Sequence, residues 1–179
     1  MTKQQLEHVL RASAAITGAQ EFIVVGSQSI LGSNYNPPVE LVHSYEVDVY
    51  TTRDTFDADL IEGSIGEGSP FHTTFGYCAN GVGASTAVLP DGWQSRLVRF
   101  QTPATNGAVG LCLEPNDLAI SKLVAGREKD MTFLAALLRH QFANADTIKQ
   151  RLTATTLAPE LRQAVDTRLT IAIRNSRTP

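Results

Sequence analysis

The sequence predicts an α+β fold, in which a mixed β-sheet is flanked by helices and followed by C-terminal helices. Short strand patterns separated by turn residues fill residues 73–113, which favours antiparallel neighbours over a doubly wound parallel sheet. Helical periodicity covers residues 1–17 and most of the chain after residue 115. These patterns predict an α/β core in residues 1–115 and a helical region in residues 116–179, packed together as a single domain.

Composition places the chain among ordinary globular proteins. Of its 179 residues, 42% are apolar and 18% are charged, and no run reaches the roughly 18 apolar residues of a membrane span. The opening MTKQQLEHVL lacks the apolar region of a signal peptide, so a cytoplasmic location is expected. The net charge of −3 argues against a large nucleic-acid surface. Two distant cysteines, Cys78 and Cys112, argue against a disulfide framework or a structural zinc site.

Local signals indicate the first helix and the first strand. Residues 1–17 carry an apolar stripe that begins at a capping box formed by Thr2 and Gln5. Gly18 is a suitable C-terminal stop for this helix. Residues 22–25 are four consecutive apolar residues, as in a strand covered on both faces. The helix is therefore expected to cover one face of the sheet that this strand begins.

The first strand ends at a glycine–serine turn. Gly26 allows a ligand to approach the backbone closely, and the N–H groups of such a turn can bind phosphate oxygens. A short helix over residues 28–31 is expected next, with the positive end of its dipole directed at the turn. Ser27 is interpreted as a phosphate contact rather than a nucleophile, because a Gly-x-Ser-x-Gly elbow is missing.

A second strand carries two acids in alternation with apolar residues. Because side chains alternate along a strand, Glu46 and Asp48 are predicted on one face, with Cα atoms roughly 6.5 to 7 Å apart. Such a pair can converge on a divalent cation, and Mg²⁺ prefers carboxylate oxygens together with phosphates. The alternative is the solvated face of an edge strand, which ordinary alternation also produces.

The middle of the chain is predicted to be a helix, a loop and several strands. A helix capped by Asp54 is expected to lead into the glycine-rich residues 61–72, which are interpreted as a loop, either a connector or a substrate-binding segment. Asn80 and Gly81 predict a hairpin turn. The strands expected after that turn cover residues 84–89, 96–101 and 108–113.

The C-terminal region is predicted to be helical, over residues 118–126, 131–141, 146–152 and 160–174. Lys122 lies among apolar residues of the first of these helices, so its ammonium group must either reach solvent or pair with an anion. A phosphate contact and a structural role are both open for it. Arg127 and Asp130 are interpreted as a salt bridge at a helix start or as part of a site.

Taken together, these motifs resemble the nucleotidyltransferase superfamily, which has a polymerase-β-like fold. The superfamily motif is a Gly-Ser pair, here Gly26 and Ser27, followed by two acids separated by one apolar residue, here Glu46 and Asp48. The run over residues 117–130 is similar to a motif of AbiEii-type toxins and of a related uncharacterised nucleotidyltransferase-like group. The matched pieces cover roughly residues 20–135.

The resemblance implies roles for specific residues. It assigns the nucleoside triphosphate to the turn and Mg²⁺ to the acid pair. It implies seven site residues, which are Gly26, Ser27, Lys122 and Arg127 for nucleotide binding, Glu46 and Asp48 for metal binding and catalysis, and Asp130 for catalysis.

The function implied is Mg²⁺-dependent transfer of a nucleotidyl group from a nucleoside triphosphate to a tRNA or protein hydroxyl. A toxin–antitoxin setting with an antitoxin-like partner protein is also implied. The alternative is an inactive module of the same fold that binds a nucleotide or a partner.

One expected element of the superfamily pattern is missing. Many members carry a third carboxylate on a later strand beside the first two. The strand expected in that place, RLVRFQ, contains none, and the nearest acids are Asp91, Glu114 and Glu67. Either Asp130 or Glu67 supplies this group, or transfer is slow or lost, since a positioned general base contributes about 10²- to 10⁴-fold.

Overall fold

A computed structural model describes residues 1–33, 36–53 and 56–177 of the chain. It divides the chain into two units. The first comprises Met1–Thr86 and Leu97–Leu113, and the second comprises Ala87–Arg96 and Glu114–Pro179.

The first unit contains a five-stranded mixed sheet, which confirms the predicted α+β class. Its strands are β1 (Glu21–Val25), β2 (Glu46–Tyr50), β3 (Cys78–Gly81), β4 (Val98–Phe100) and β5 (Val109–Cys112). They lie in the order β3-β2-β1-β5-β4. Strand β1 is antiparallel to β2 and parallel to β5, β2 is parallel to β3, and β4 is antiparallel to β5.

Three α-helices belong to the same unit, namely α1 (Lys3–Thr17), α2 (Phe56–Ile65) and α3 (Pro70–Phe75). The capping box predicted for α1 is confirmed. Thr2 Oγ1 accepts a hydrogen bond from the Gln5 N–H, and Gln5 Oε1 accepts one from the Thr2 N–H. Gly18 ends the helix in the left-handed conformation, with φ of 69°.

The core of the first unit lies on one face of its sheet. Val47 and Val49 of β2 belong to this apolar cluster, so the alternation of the strand places Glu46 and Asp48 on the opposite face. The cluster brings together side chains from α1, α2 and the inner strands, including Leu6, Val9, Leu10, Ile61, Ile65, Phe22, Val24 and Ala79.

The loop prediction for residues 61–72 was wrong. Helix α2 continues to Ile65, and α3 begins at Pro70 after only four linking residues. Ser69 Oγ accepts a hydrogen bond from the His72 N–H, and proline at the first helical position needs no partner for an N–H group. These two start signals outweigh the glycines nearby. Asp54, the expected cap of α2, lies outside the described residues.

The hairpin prediction at Asn80 was also wrong. Asn80 and Gly81 lie inside β3, which pairs in parallel with β2. A parallel neighbour requires a long crossover, which α2 and α3 provide. Residues 84–86 form a short 3₁₀-helix instead of starting the strand predicted at 84–89. The antiparallel pair expected near residues 96–113 is confirmed as β4 and β5.

The second unit contains the four predicted C-terminal helices, α4 (Pro115–Ala125), α5 (Glu128–Arg139), α6 (Ala145–Thr153) and α7 (Pro159–Ser176). Glu114 caps α4 by accepting hydrogen bonds from the N–H groups of Asn116 and Asp117, and Gly126 ends it with φ of 63°.

Across the described ranges, we find no helix that combines the length and the apolar character needed to cross a membrane.

Candidate functional site

The turn after β1 has a backbone conformation that requires glycine. Gly26 adopts φ of 69° and ψ of −172°, a region that is essentially closed to other residues. The chain then continues as a 3₁₀-helix over Ser27–Gly32, so the expected helical turn is present but is of the tighter type. Ser29 stabilises this turn, because its Oγ and its N–H both donate to the Gly26 carbonyl, at 2.9 and 3.3 Å.

The acid pair lies directly beside this turn. In the β1–β2 register Val25 is opposite Asp48, which places the Asp48 side chain at the end of β1. A Cβ atom at Gly26 would overlap Oδ2 of Asp48 and would lie 3.3 Å from its Cγ. The Asp48 carboxylate therefore packs against the backbone of Gly26, in the space that any other residue would fill.

Glu46 and Asp48 share a hydrogen-bond donor on the neighbouring strand. Asn80 lies opposite Asp48 in the parallel pairing of β2 with β3. Its Nδ2 donates to Asp48 Oδ1 at 3.1 Å and to Glu46 Oε2 at 3.4 Å. The two carboxylates thus converge within reach of one amide group. The edge-strand alternative for β2 is wrong, because β2 lies between β1 and β3.

Asn80 was not among the predicted site residues, because an Asn-Gly pair is typical of a turn. Only the parallel pairing of β3 brings this residue to the acids. The run Cys-Ala-Asn-Gly is compatible with a short strand that has Asn80 on its polar face. Four residues are too few for periodicity alone to distinguish such a strand from a turn.

Negative charge accumulates at this end of the sheet. Burial raises the pKa of the Cys78 thiol to about 11, and the carboxylates of Glu46, Glu67, Glu62 and Asp48 raise it further in that order. Such a potential favours a bound cation.

The residues present fit Mg²⁺. Glu46 and Asp48 supply two hard carboxylate oxygens on one half-buried face. Within the described ranges, no third His, Cys, Asp or Glu joins them in a metal-binding group. Mg²⁺ is commonly bound through one or two carboxylates, with water and substrate phosphates completing its shell.

The strand expected to carry a third acid lies elsewhere. The RLVRFQ segment contains β4, which lies at the opposite edge of the sheet from β3. Strand β3 is the neighbour of β2, and Asn80 occupies the position beside Asp48. Glu67 is exposed and accepts a hydrogen bond from the Tyr45 hydroxyl at 3.1 Å.

Three further predicted site residues form one cluster in the second unit. Lys122 Nζ lies 3.1 Å from Asp130 Oδ1, and Arg127 Nε lies 2.6 Å from Asp130 Oδ2. Lys122 also lies over the ring of Phe133, at 5.6 Å from its centroid. Of the two alternatives for the buried lysine, pairing with an anion is confirmed, with Asp130 as that anion. The salt bridge predicted between Arg127 and Asp130 is also confirmed.

Asp130 is held in its charged form by these neighbours. Its side chain is only 1% exposed. Burial acts to raise the pKa of this carboxyl group, but the hydrogen bonds from Arg127 and the charge of Lys122 outweigh burial and hold the pKa below its usual value.

A second ionic cluster in this unit was not predicted. Asp117, with a side chain 1% exposed, accepts hydrogen bonds from Arg96 Nε at 2.8 Å and from Arg151 Nη1 at 2.9 Å. Arg151 also pairs with Glu114, the cap of α4. Both arginines line a pocket of about 400 Å³. The sequence held no signal for this cluster, because its members are separated by up to 55 residues along the chain.

The sheet, the glycine–serine turn and the adjoining acids together define a nucleotidyltransferase-like fold. Comparison with protein families agrees with this assignment. A family described as "Nucleotidyltransferase of unknown function (DUF6036)" matches residues 4–174, and the chain belongs to this family. No curated protein and no solved structure matches the chain significantly. The more specific likeness to AbiEii-type toxins stays a prediction.

Proposed function

We propose that this protein is a Mg²⁺-dependent nucleotidyltransferase, in which the glycine–serine turn binds phosphate and the acids beside it bind the metal, both within the first unit. The observation that carries the proposal is the contact between Gly26 and Asp48. Because Gly26 has no side chain, the Asp48 carboxylate packs against the turn itself. A triphosphate bound at this turn would therefore reach the same cation as the acids.

The reaction proposed is displacement at the α-phosphorus of a nucleoside triphosphate. The oxygen of an acceptor hydroxyl forms a bond to this phosphorus, the bond to the bridging oxygen of the β-phosphate breaks, and pyrophosphate leaves. The hydroxyl proton passes to a base or to water. When bound, Mg²⁺ would neutralise the charge that develops on the phosphate oxygens.

Ser27 supports the binding of phosphate rather than attack on it. Gln28 Nε2 donates to Ser27 Oγ at 3.4 Å, so the serine oxygen is the acceptor in that contact. Its own hydroxyl proton is then available to donate to a phosphate oxygen. Backbone N–H groups of the turn would add to the same interaction.

The acceptor proposed is the hydroxyl of a tRNA end or of a protein side chain, with an antitoxin-like protein as a partner. These assignments rest on the likeness to AbiEii-type toxins. The nucleotide-binding roles of Lys122 and Arg127 and the catalytic role of Asp130 are likewise predictions. Their mutual ion pairs support a structural role in the second unit.

Ligand-induced stabilisation tests the site. A nucleoside triphosphate at about 100 times its Kd should stabilise the protein by about 2.7 kcal/mol, and this shift should require Mg²⁺. Glu46→Gln and Asp48→Asn should each abolish the Mg²⁺-dependent part. Asp146→Asn is the matched control, because this carboxylate is 90% exposed on α6. A Mg²⁺-dependent shift that persists in both site variants would contradict the assignment.

Transfer needs its own assay. Triphosphates labelled at the α-phosphate are incubated with the protein, Mg²⁺ and a cell extract, and the label is followed into RNA or protein. Sensitivity of the labelled product to nuclease or to protease identifies the acceptor class. Product formation by Asp48→Asn at the wild-type rate would refute the proposed chemistry.

A second candidate function is nucleotide binding without transfer. The observation favouring it is that Asn80, a neutral residue, lies beside Asp48 where a carboxylate could act as a base. This candidate predicts the same Mg²⁺-dependent stabilisation but no labelled product with any of the four nucleotides.

A further inference from the structure

The side-chain amide of Asn80 joins the two acids of the site. Because carboxylate oxygens only accept hydrogen bonds, the Asn80 atom that faces Asp48 and Glu46 must be the nitrogen. One neutral donor group therefore bridges two negative charges. Hydrogen bonds to ionised acceptors are stronger than those between neutral groups, so this bridge stabilises the pair when no cation is bound.

The position of Asn80 is fixed by the packing of its strand. The next residue, Gly81, has no side chain, and a Cβ atom there would lie 2.6 Å from the carbonyl carbon of Ala58 in α2. The Gly81 N–H also donates to Glu62 Oε2 at 3.0 Å. Strand β3 is thus held closely against α2, and the amide of Asn80 stays in register with Asp48.

Two forms of a divalent cation would meet this arrangement differently. A free ion would meet two carboxylates that already share a donor, and it would gain only two negative charges from Glu46 and Asp48. A cation that arrives on a triphosphate brings phosphate oxygens as further ligands, so it depends less on the charge supplied by the protein.

We propose that Asn80 is a positioning and specificity-determining residue, which holds Glu46 and Asp48 together and makes the site accept the metal–nucleotide complex in preference to the free ion. This inference rests on the proposed function of the site.

Titration calorimetry with Mn²⁺ alone tests the inference. Asn80→Asp adds a third carboxylate, so it should tighten the Kd for free Mn²⁺ at least about tenfold relative to wild type. Asn175→Asp is the matched control, because it adds the same charge at an exposed position of α7 and should leave this Kd unchanged. Equal Mn²⁺ affinity in wild type and Asn80→Asp would overturn the inference, as would equal tightening in the control.

A second variant covers the case in which Asn80→Asp fails to fold. Asn80→Ala removes the bridge without adding charge, and it should reduce the thermal shift produced by a Mg²⁺–triphosphate mixture at least twofold. An unchanged shift would show that the amide positions nothing. If wild type shows no triphosphate-dependent shift, the proposed function fails, whereas the Mn²⁺ comparison still decides the role of Asn80.

Discussion

Substituting Gly26 by alanine perturbs the candidate site at its most constrained point. Two independent effects follow from the structure. The backbone conformation, with φ of 69° and ψ of −172°, is essentially restricted to glycine. The added methyl group would also overlap Oδ2 of Asp48. Gly26→Ala should therefore lower stability and displace the carboxylate that the site uses.

A comparison with Gly18→Ala separates the cost of the backbone conformation from the cost of the overlap with Asp48. Gly18 has the same φ of 69°, but no heavy atom of the described residues, other than those of its two chain neighbours, lies within 4 Å of the position its Cβ would take. Alanine in this left-handed conformation costs about 1–2 kcal/mol. Strain at Gly26 costs about 1–3 kcal/mol, and relief of the overlap with Asp48 adds to it. We expect Gly26→Ala to be the more destabilising by about 1–2 kcal/mol.

Urea unfolding of four proteins measures these terms. They are wild type, Gly26→Ala, Asp48→Ala and the double variant. Removing the carboxylate leaves the Asp48 Cβ atom 3.6 Å from the new methyl group, an ordinary contact. The double variant should therefore lose less stability than the sum of the two single changes, by about 1 kcal/mol.

Two results would refute this reasoning. The first is additivity of Gly26→Ala and Asp48→Ala, which would mean that the two residues do not touch in solution. The second is a Gly26→Ala protein that is no less stable than Gly18→Ala and keeps the full Mg²⁺-dependent response to a triphosphate.

Three other predictions test the packing around the site and in the second unit. Asp130→Asn should cost about 3 kcal/mol in urea unfolding, because the buried Lys122 loses its anion. Since the pKa of Asp130 is held low, the greater stability of wild type over Asp130→Asn should be present above about pH 4 and decline below it. A stability difference that does not change with pH would contradict the ion pair. Cys78 and Cys112 are buried, and the pKa values of their thiols are raised to about 11 and about 12. Both should therefore resist thiol reagents at about pH 8 until the protein unfolds. Rapid labelling of the native protein would argue against their burial. Gly32→Ala should cost about 1–3 kcal/mol, because its Cβ would lie 2.7 Å from the Cys112 Sγ, and a stability equal to wild type would show that this contact is loose.

Signals confined to a few neighbouring residues were sufficient for much of the fold. The strand that ends at Gly26, the capped helix that begins after Thr2 and the four C-terminal helices all follow from local periodicity and caps. The resemblance assigned the glycine–serine turn and the acid pair to one site, and the register of β1 with β2 places Asp48 beside Gly26.

Strand pairing was the part that local signals could not supply. Asn80 and Gly81 are a strong turn signal, yet they lie in a strand because the crossover through α2 and α3 delivers β3 to the side of β2. For the same reason β4, expected beside the acids, lies at the far edge of the sheet. Which strand becomes a neighbour depends on packing between residues that are distant in sequence.

Helix α3 was missed for a different reason. Ser69, Pro70 and Gly76 are a start cap, a first-turn proline and a left-handed stop, so the necessary signals were present in the sequence. The three glycines within residues 63–68 favour a loop instead, and they hide the start signals that follow them.

The path of the chain through its two units limits how the protein can be dissected. The polypeptide leaves the first unit after Thr86, contributes Ala87–Arg96 to the second, and then returns to form the last two strands of the sheet. A fragment cut after Leu113 would retain Arg96 but lose Asp117, its ionic partner. No single cleavage point therefore separates this protein into two intact halves, and functional dissection must proceed by substitution instead of truncation.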